Sequence, residues 1–333
     1  MPSLLEMPED VMNIILKESD YCSIQNLRKS CRDLRHFIDD VKPESTMTEL
    51  YIRFECDYII LNLEFSKEPS KRIFYYDQKE QCYLRCETTG SYPSKQKFLQ
   101  NLDFIDLACR DIKLALYLKN SDLPKLDIDL RNSYKPSDQL LTSLIETLSS
   151  RPRPLKVHKF NMESKSLQQV STVLPLLDPK KLYEIAIEKV RDSENFDFSK
   201  MVNLEQWKRA RWLMLCDKKM DFENFENLEN FLHFETVIVY VKCLTLDLVL
   251  RLKEVFLGSA HMKWYKLMNQ DFQLSVALYD RFGAPHFQYG NSHWYFQIPA
   301  VSTKIVLLKL LSNYCISFER IERDKVPAGA RVH

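Results

Sequence analysis

Residues 236–268 read TVIVYVKCLTLDLVLRLKEVFLGSAHMKWYKLM. The run Thr236–Val241 is β-branched and aromatic, as a short strand is. Leu246–Leu257 carries apolar residues at spacings of three and four, as an amphipathic helix does. Lys263–Met268 (KWYKLM) again reads as a strand. Two strands separated by a helix predict a parallel pair joined by a right-handed crossover. The unit recurs upstream. Strand-like runs begin near Leu126, Lys156, Leu182, Ala210, Thr236 and Lys263, at intervals of 30, 26, 28, 26 and 27 residues. Helical patterns fill the gaps at Gln139–Leu148, Leu167–Leu174, Phe225–Phe234 and Leu246–Leu257. A period near 27 falls in the leucine-rich-repeat range, although the strict L-x-x-L-x-L-x-x-N pattern is absent. The expected fold is mixed α/β: a curved, leucine-rich-repeat-like sheet of mostly parallel strands, with helices on one face and the other face open.

Upstream, residues 48–88 read as an antiparallel β-rich segment, with candidates Leu50–Phe54, Tyr58–Leu63, Ile73–Tyr76 and Cys82–Cys86. Lys95–Lys119 reads as a helix with Phe98, Leu102, Ile105, Cys109, Ile112 and Leu116 along one face. Downstream, His286–Tyr289 and Trp294–Ile298 flank Gly290 as a hairpin; Thr303–Leu311 is expected as a last helix and Ile316–Arg320 as a last strand. The predicted segments are 1–45, 46–125 and 126–320, with a mobile tail over 322–333, where apolar residues are few.

The first 42 residues read as a compact helical unit. Pro8, Glu9 and Asp10 suit a helix start, because proline lacks an N–H that would have no partner there and acids favour the positive end of the helix dipole. Asp20 and Ser23 can cap a second helix whose Ile24, Leu27, Cys31 and Leu34 share a face. So few residues bury little surface, so the unit must complete its core on the rest of the chain or on a partner.

The composition excludes several chemistries. Lys+Arg total 47 against Asp+Glu 46, so nucleic acid and anionic membrane are not expected partners. There are 5 glycines, at Gly90, Gly258, Gly283, Gly290 and Gly329, and none of the spacings matches a phosphate-binding loop, a dinucleotide fingerprint or a nucleophile elbow. No His precedes a Glu, so H-E-x-x-H is absent. The first residues lack a secretory signal pattern, no apolar run is long enough to span a bilayer, and the 9 cysteines are scattered, so cytoplasm or nucleus is expected. Cys82 and Cys86 are the only close pair and read as free thiols; no cofactor and no metal is expected.

Two stretches bear a family likeness. Leu5–Leu16 (LEMPEDVMNIIL), Asp20 and Asn26–Asp39 (NLRKSCRDLRHFID) resemble an F-box, with Met7 where leucine is usual and Ser30 where valine is usual. The resemblance implies docking on a Skp-type adaptor and, through it, a cullin–RING ubiquitin ligase. By position, Met7, Pro8, Ile15, Leu16, Leu27 and Cys31 would face the adaptor. The residues by themselves leave a second reading open, the core of a helical cap. Ser149–Phe160 (SSRPRPLKVHKF), Leu182–Ile187 and the Trp207/Trp212 stretch are similar to the FTH domain, which follows an F-box in the nematode F-box A family. That likeness covers roughly residues 50–320 and implies a target-recognition region.

Candidate chemistry outside these is sparse. Asp127, Asp129, Glu184 and Glu188, with Lys159, alternate with apolar residues along their strands and are expected to present a polar recognition face to a target protein. Two histidines, His286 and His293, face each other across the presumed turn without a placed carboxylate. Trp207–Trp212 mixes aromatics with bases but reads as core tryptophans with a solvated edge. No catalytic constellation is expected. The functional expectation is a non-enzymatic substrate receptor of a ubiquitin ligase. The alternatives are a free-standing interaction repeat, and a hydrolase or transferase on an unrecognised scaffold.

Overall fold

A computed structural model describes residues 4–78, 81–117, 119, 121–130, 136–164, 166–189, 199–216, 226–241, 243–269, 275–299, 303–311 and 315–333. The chain divides into two compact units, Met1–Glu163 with Gln168–Leu182, and Ser164–Leu167 with Tyr183–His333.

The first unit begins with three ten-residue helices, α1 (Glu9–Glu18), α2 (Tyr21–Ser30) and α3 (Arg32–Val41). The Asp20 carboxylate accepts the Ser23 N–H at 2.7 Å and starts α2 as expected. The apolar spacing through Cys31 and Leu34 suggested one continuous second helix. Instead the backbone extends at Cys31, whose sulfur accepts the Leu34 N–H at 3.4 Å, and α3 starts there. The break folds α3 back on α2, and a bidentate Arg28–Asp39 pair at 2.6 and 3.0 Å ties them. Leu16, Ile24 and Ile38 form the small core, with Leu27, Phe37 and Val41 packed against it.

The strands β1 (Met47–Phe54), β2 (Tyr58–Phe65), β3 (Lys71–Gln78), β4 (Gln81–Thr88) and β5 (Ser91–Gln100) follow as an antiparallel meander. Then come α4 (Phe104–Tyr117), β6 (Leu123–Asp129), α5 (Pro136–Ser149), β7 (Val157–Ser164) and α6 (Leu167–Val173). The strand order is β7-β6-β1-β2-β3-β4-β5, with β6 parallel to both β1 and β7. The helix expected over 95–119 is really a strand and a shorter helix. Phe98 and Leu102, 59% and 47% exposed, lie outside the apolar stripe of α4, and the Asp103 carboxylate accepts the N–H groups of Ile105 and Asp106 at the helix start. Leu114 of α4 packs against the core of the three N-terminal helices, so that core is completed within the chain.

The second unit holds β8 (Glu184–Lys189), α7 (Ser199–Val202), α8 (Glu205–Arg209), β9 (Trp212–Leu215), α9 (Glu226–Glu229), β10 (Thr236–Tyr240), α10 (Leu246–Gly258), β11 (Trp264–Met268), α11 (Ser275–Phe282), β12 (His286–Gln288), β13 (Asn291–Gln297), β14 (Lys304–Leu311) and β15 (Cys315–Glu322). The helical pattern expected from Phe225 begins outside the described residues. The Thr245 hydroxyl caps α10 by accepting the Leu248 N–H at 3.2 Å. Val237, Val239, Tyr265 and Leu267 face Leu248 and Leu252 of α10, which is the alternation the 236–268 stretch predicted. Strands β8 to β11 run parallel; β15, β14, β13 and β12 then continue the sheet antiparallel.

Eight of the described strand pairings are antiparallel and five parallel, so the sheet is not the mostly parallel one expected. The 27-residue rhythm registers only strand–helix–strand units. It is blind to the hairpin-linked strands β1–β5 and β12–β15. The expected helix over Thr303–Leu311 is β14, the correction with the clearest cause. A strand paired on both sides and covered on both faces reads as an unbroken apolar run, as KIVLLKLL does, and such a run cannot be told from helix by periodicity.

The expected mobile tail is docked. Val326, Ala330 and Val332 pack on Tyr295, Ile305 and Leu307. His333 also exchanges backbone hydrogen bonds with Tyr295 and Gln297. Three apolar side chains, sparse in a residue count, suffice when each meets an exposed strand surface. No helix among the described residues is long and apolar enough to cross a membrane.

Candidate functional site: a helical docking face and two polar sheet faces

Helix α1 carries Val11, Met12, Ile14, Ile15 and Leu16 within ten residues, more apolar side chains than one core-facing stripe needs. Met12 and Leu16, four apart, turn inward and are 4% and 1% exposed. Val11 and Ile14 point away and are 39% and 62% exposed. Pro8, at the helix N-cap, is exposed too, while Met7 and Ile15 are half-buried. Pro8, Val11, Ile14 and Ile15 thus line one outward apolar stripe.

Of the six expected adaptor contacts, Met7, Pro8 and Ile15 lie on or beside this stripe. Leu16 belongs to the core instead, and Leu27 packs against that core. Cys31 is occupied as the α3 cap. Leu27 and Cys31 are half-buried, so part of each side chain stays open to the surface. Val11 and Ile14, which the motif positions do not include, are the exposed large apolar residues of α1, and the surplus of apolar residues on that helix is visible in the sequence.

On the first unit's sheet, Glu49, Tyr51 and Arg53 of β1 stand in register with Lys125, Asp127 and Asp129 of β6, and these with Lys159, Asn161 and Glu163 of β7. The intervening Leu50, Ile52, Phe54, Leu126, Ile128, Phe160 and Met162 are buried on the opposite face. The polar face is a bonded network. Lys125 Nζ lies 3.1 Å from Glu49 and 3.0 Å from Asp127. Asn161 Nδ2 donates to Asp127 at 3.0 Å. Arg53 pairs with Glu55 and, at 3.5 Å, with Asp129. Burial pushes the Asp127 carboxyl above the usual carboxylate range, against the pull of Lys125. The alternation predicted exposed acids; Asp127 and Asp129 are nonetheless 7% and 1% exposed, because long side chains from both neighbouring strands cover them. Lys159 remains exposed.

Glu184 and Glu188 stand on β8 in the second unit and are half-buried. That face of β8 to β11 also presents Trp212, Met214, Ile238 and Trp264, all half-buried. Trp207 is different. It is 1% exposed, its indole N–H donates to the Asn230 carbonyl at 3.0 Å, and Phe231 and Phe234 stand edge-on to it. Trp207 is therefore core and Trp212 is not.

His286 and His293 are directly opposite on β12 and β13, joined by a turn in which Tyr289 and Gly290 both have positive φ. Burial holds His293 below the ordinary imidazole value. Cys82 and Cys86 lie on one strand, four residues and about 13 Å apart, too far to share an ion. No group of three or more His, Cys, Asp or Glu among the described residues could hold a metal.

Comparison with known proteins adds two domain assignments. Residues 4–46 match the F-box domain family and residues 138–277 match the FTH domain family. The chain is 25% identical over 257 residues to F-box A protein 224 of Caenorhabditis elegans, a match covering 76% of this chain and 63% of that relative. The chain thus spans less than two thirds of the relative's length. No solved structure matches.

Proposed function

We propose that this chain, whose residues 4–46 match the F-box domain family and 138–277 the FTH domain family, is the substrate-recognition subunit of a Skp–cullin–F-box type ubiquitin ligase. The observation that carries this reading is the stripe Pro8, Val11, Ile14 and Ile15. Apolar side chains held in water by a helix whose own core is already complete are surplus to folding, and burial against a partner stabilises them. The stripe would dock on the Skp-type adaptor, with the cullin–RING ligase bound through it. The chain itself does no bond chemistry. It raises the local concentration of a bound target at the ligase.

The target would meet the sheet faces. On the first unit the contacts are Lys159 and the rim of the Asp127–Asp129 network; on the second they are Glu184 and Glu188 beside Trp212, Ile238 and Trp264. Aromatic and isoleucine side chains contribute most of the contact energy in such a surface, while the flanking charges set specificity.

A second reading is a protein-interaction module with no ubiquitin role. Leu114 of α4, which completes the core of the three helices, favours it, since a cap needs nothing more. Adaptor binding separates the two. Purified chain and Skp-type adaptor should co-elute, and Ile14→Asp should abolish co-elution without lowering the melting temperature. Failure of the unmodified chain to bind leaves the cap reading.

A further inference from the structure

Apart from the docking stripe and the sheet faces, the first unit holds a cavity of about 610 Å³, within the range of small-ligand sites. Its cationic lining comes from four places in the chain: Lys42 just past α3, Lys113 on α4, Arg151 and Arg153 in the loop after α5, and Lys156 before β7. No carboxylate lines it among the described residues. The chain's net charge is only +1, so five cations around one cavity are a local concentration, not a general excess.

The five have different tasks. Arg151 is structural: one Nη donates to the Leu116 carbonyl and the other to the Lys119 carbonyl at 2.7 Å, so it caps the end of α4. Lys42 sits over the Tyr117 ring, 4.5 Å from its centroid. Lys156 has a partner in Asp122 at a loose 3.8 Å. Lys113 and Arg153 are exposed and form no ion pair among the described residues. Two exposed cations without an ion pair and two more in the lining suit a compact dianion, and arginine's planar fork suits a tetrahedral oxyanion. Pro152 and Pro154, which have no N–H, together with Tyr117, supply an apolar wall beside the charges.

We propose that this cavity binds a phosphomonoester, with the phosphate between Lys113 and Arg153 and the group that carries it against Pro152, Pro154 and Tyr117. The residues involved include Ser150, Arg151, Pro152, Arg153, Pro154 and Lys156 of the SSRPRPLKVHKF stretch, which the repeat architecture alone leaves without a task. The site does not depend on adaptor docking.

The test uses the full chain and fluorescein-labelled O-phosphoserine, read by polarisation, with labelled serine as control. Phosphoserine should bind saturably, serine should not, and raised salt should weaken the binding. Lys113→Ala with Arg153→Ala should weaken it at least ten-fold at unchanged melting temperature, and Lys113→Arg should retain it. Protection of Lys113 from acetylation by bound phosphoserine locates the site. Weaker competition by inorganic phosphate than by phosphoserine supports the contacts of the carrying group; equal competition overturns the phosphomonoester assignment and leaves a site for the phosphate alone. No saturable binding of phosphoserine, or unchanged binding by the double variant, overturns it. So does capture by phosphatidylserine vesicles that phosphoserine cannot compete away. Ile14→Asp should leave phosphoserine binding unchanged, which keeps this outcome separate from that of the adaptor reading.

Discussion

Replacing Ile14 by Asp tests the docking stripe, and the structure sets the magnitude. Full burial of an isoleucine side chain is worth about 1.5–3 kcal/mol. Ile14 is 62% exposed, so covering it on an adaptor can recover about 1–2 kcal/mol of that. Aspartate forfeits that gain and leaves an unpaired carboxylate in the contact, which costs about 3 kcal/mol more. The sum, about 4 kcal/mol, weakens binding about a thousand-fold. Ile14→Ala loses only the burial and should weaken it about five-fold. Folding responds differently. A largely exposed position away from the core changes stability by no more than about 0.5 kcal/mol. Leu27→Asp is the contrasting case, because Leu27 packs on Leu16, Ile24 and Ile38, and a charge there unfolds the helical unit. Calorimetric titration with a Skp-type adaptor, paired with thermal unfolding, reads both effects. If the unmodified chain binds and Ile14→Asp binds within two-fold of it, α1 does not present the docking face and the reasoning fails.

Three further outcomes follow from buried polar groups and from the docked tail. Gln25 is 7% exposed with neither side-chain polar atom hydrogen-bonded, so Gln25→Leu should raise stability by about 1–2 kcal/mol in chemical denaturation. Asp111 accepts the Tyr75 hydroxyl at 2.7 Å, yet burial raises its pKa above the ordinary aspartate value. A raised carboxyl pKa means the folded state holds the proton longer, so its contribution is full below the unfolded pKa and is lost as pH rises through the folded one. Asp111→Asn should flatten the fall in stability over that acidic window, measured by melting temperature against pH. Deleting residues 323–333 removes Val326, Ala330 and Val332 from Tyr295, Ile305 and Leu307, and should lower the second unit's stability by about 2–4 kcal/mol in denaturant titration, since each lost apolar contact is partial.

The local elements were legible wherever a pattern had one interpretation. The alternation in TVIVYV and KWYKLM and the spacing in LDLVLRLKEVF predicted β10, β11 and α10, and Asp20 marked the start of α2. The F-box resemblance was carried by short strings such as LEMPEDVMNIIL and the FTH resemblance by the repeat rhythm with scattered positions, and neither needed a structure. What failed was whatever depends on partners. KIVLLKLL has the same apolar content as a buried helix, and only its pairing with β13 and β15 makes it a strand. Phe98 extended a helical spacing that a capping aspartate at 103 cuts off.

By itself the sequence determined composition, local periodicity and the two domain likenesses, because each can be read along the chain, from neighbouring residues or from the spacing of the repeat, without knowing which segments meet in space. Tertiary structure decided the direction of the strands, since parallel and antiparallel ladders share the same two-residue alternation. It decided which apolar residues of α1 were surplus, because Leu114, a hundred residues away, fills the core and leaves Val11 and Ile14 outside. It also decided that Lys42, Lys113, Arg153 and Lys156 surround one cavity, a juxtaposition that no linear spacing encodes.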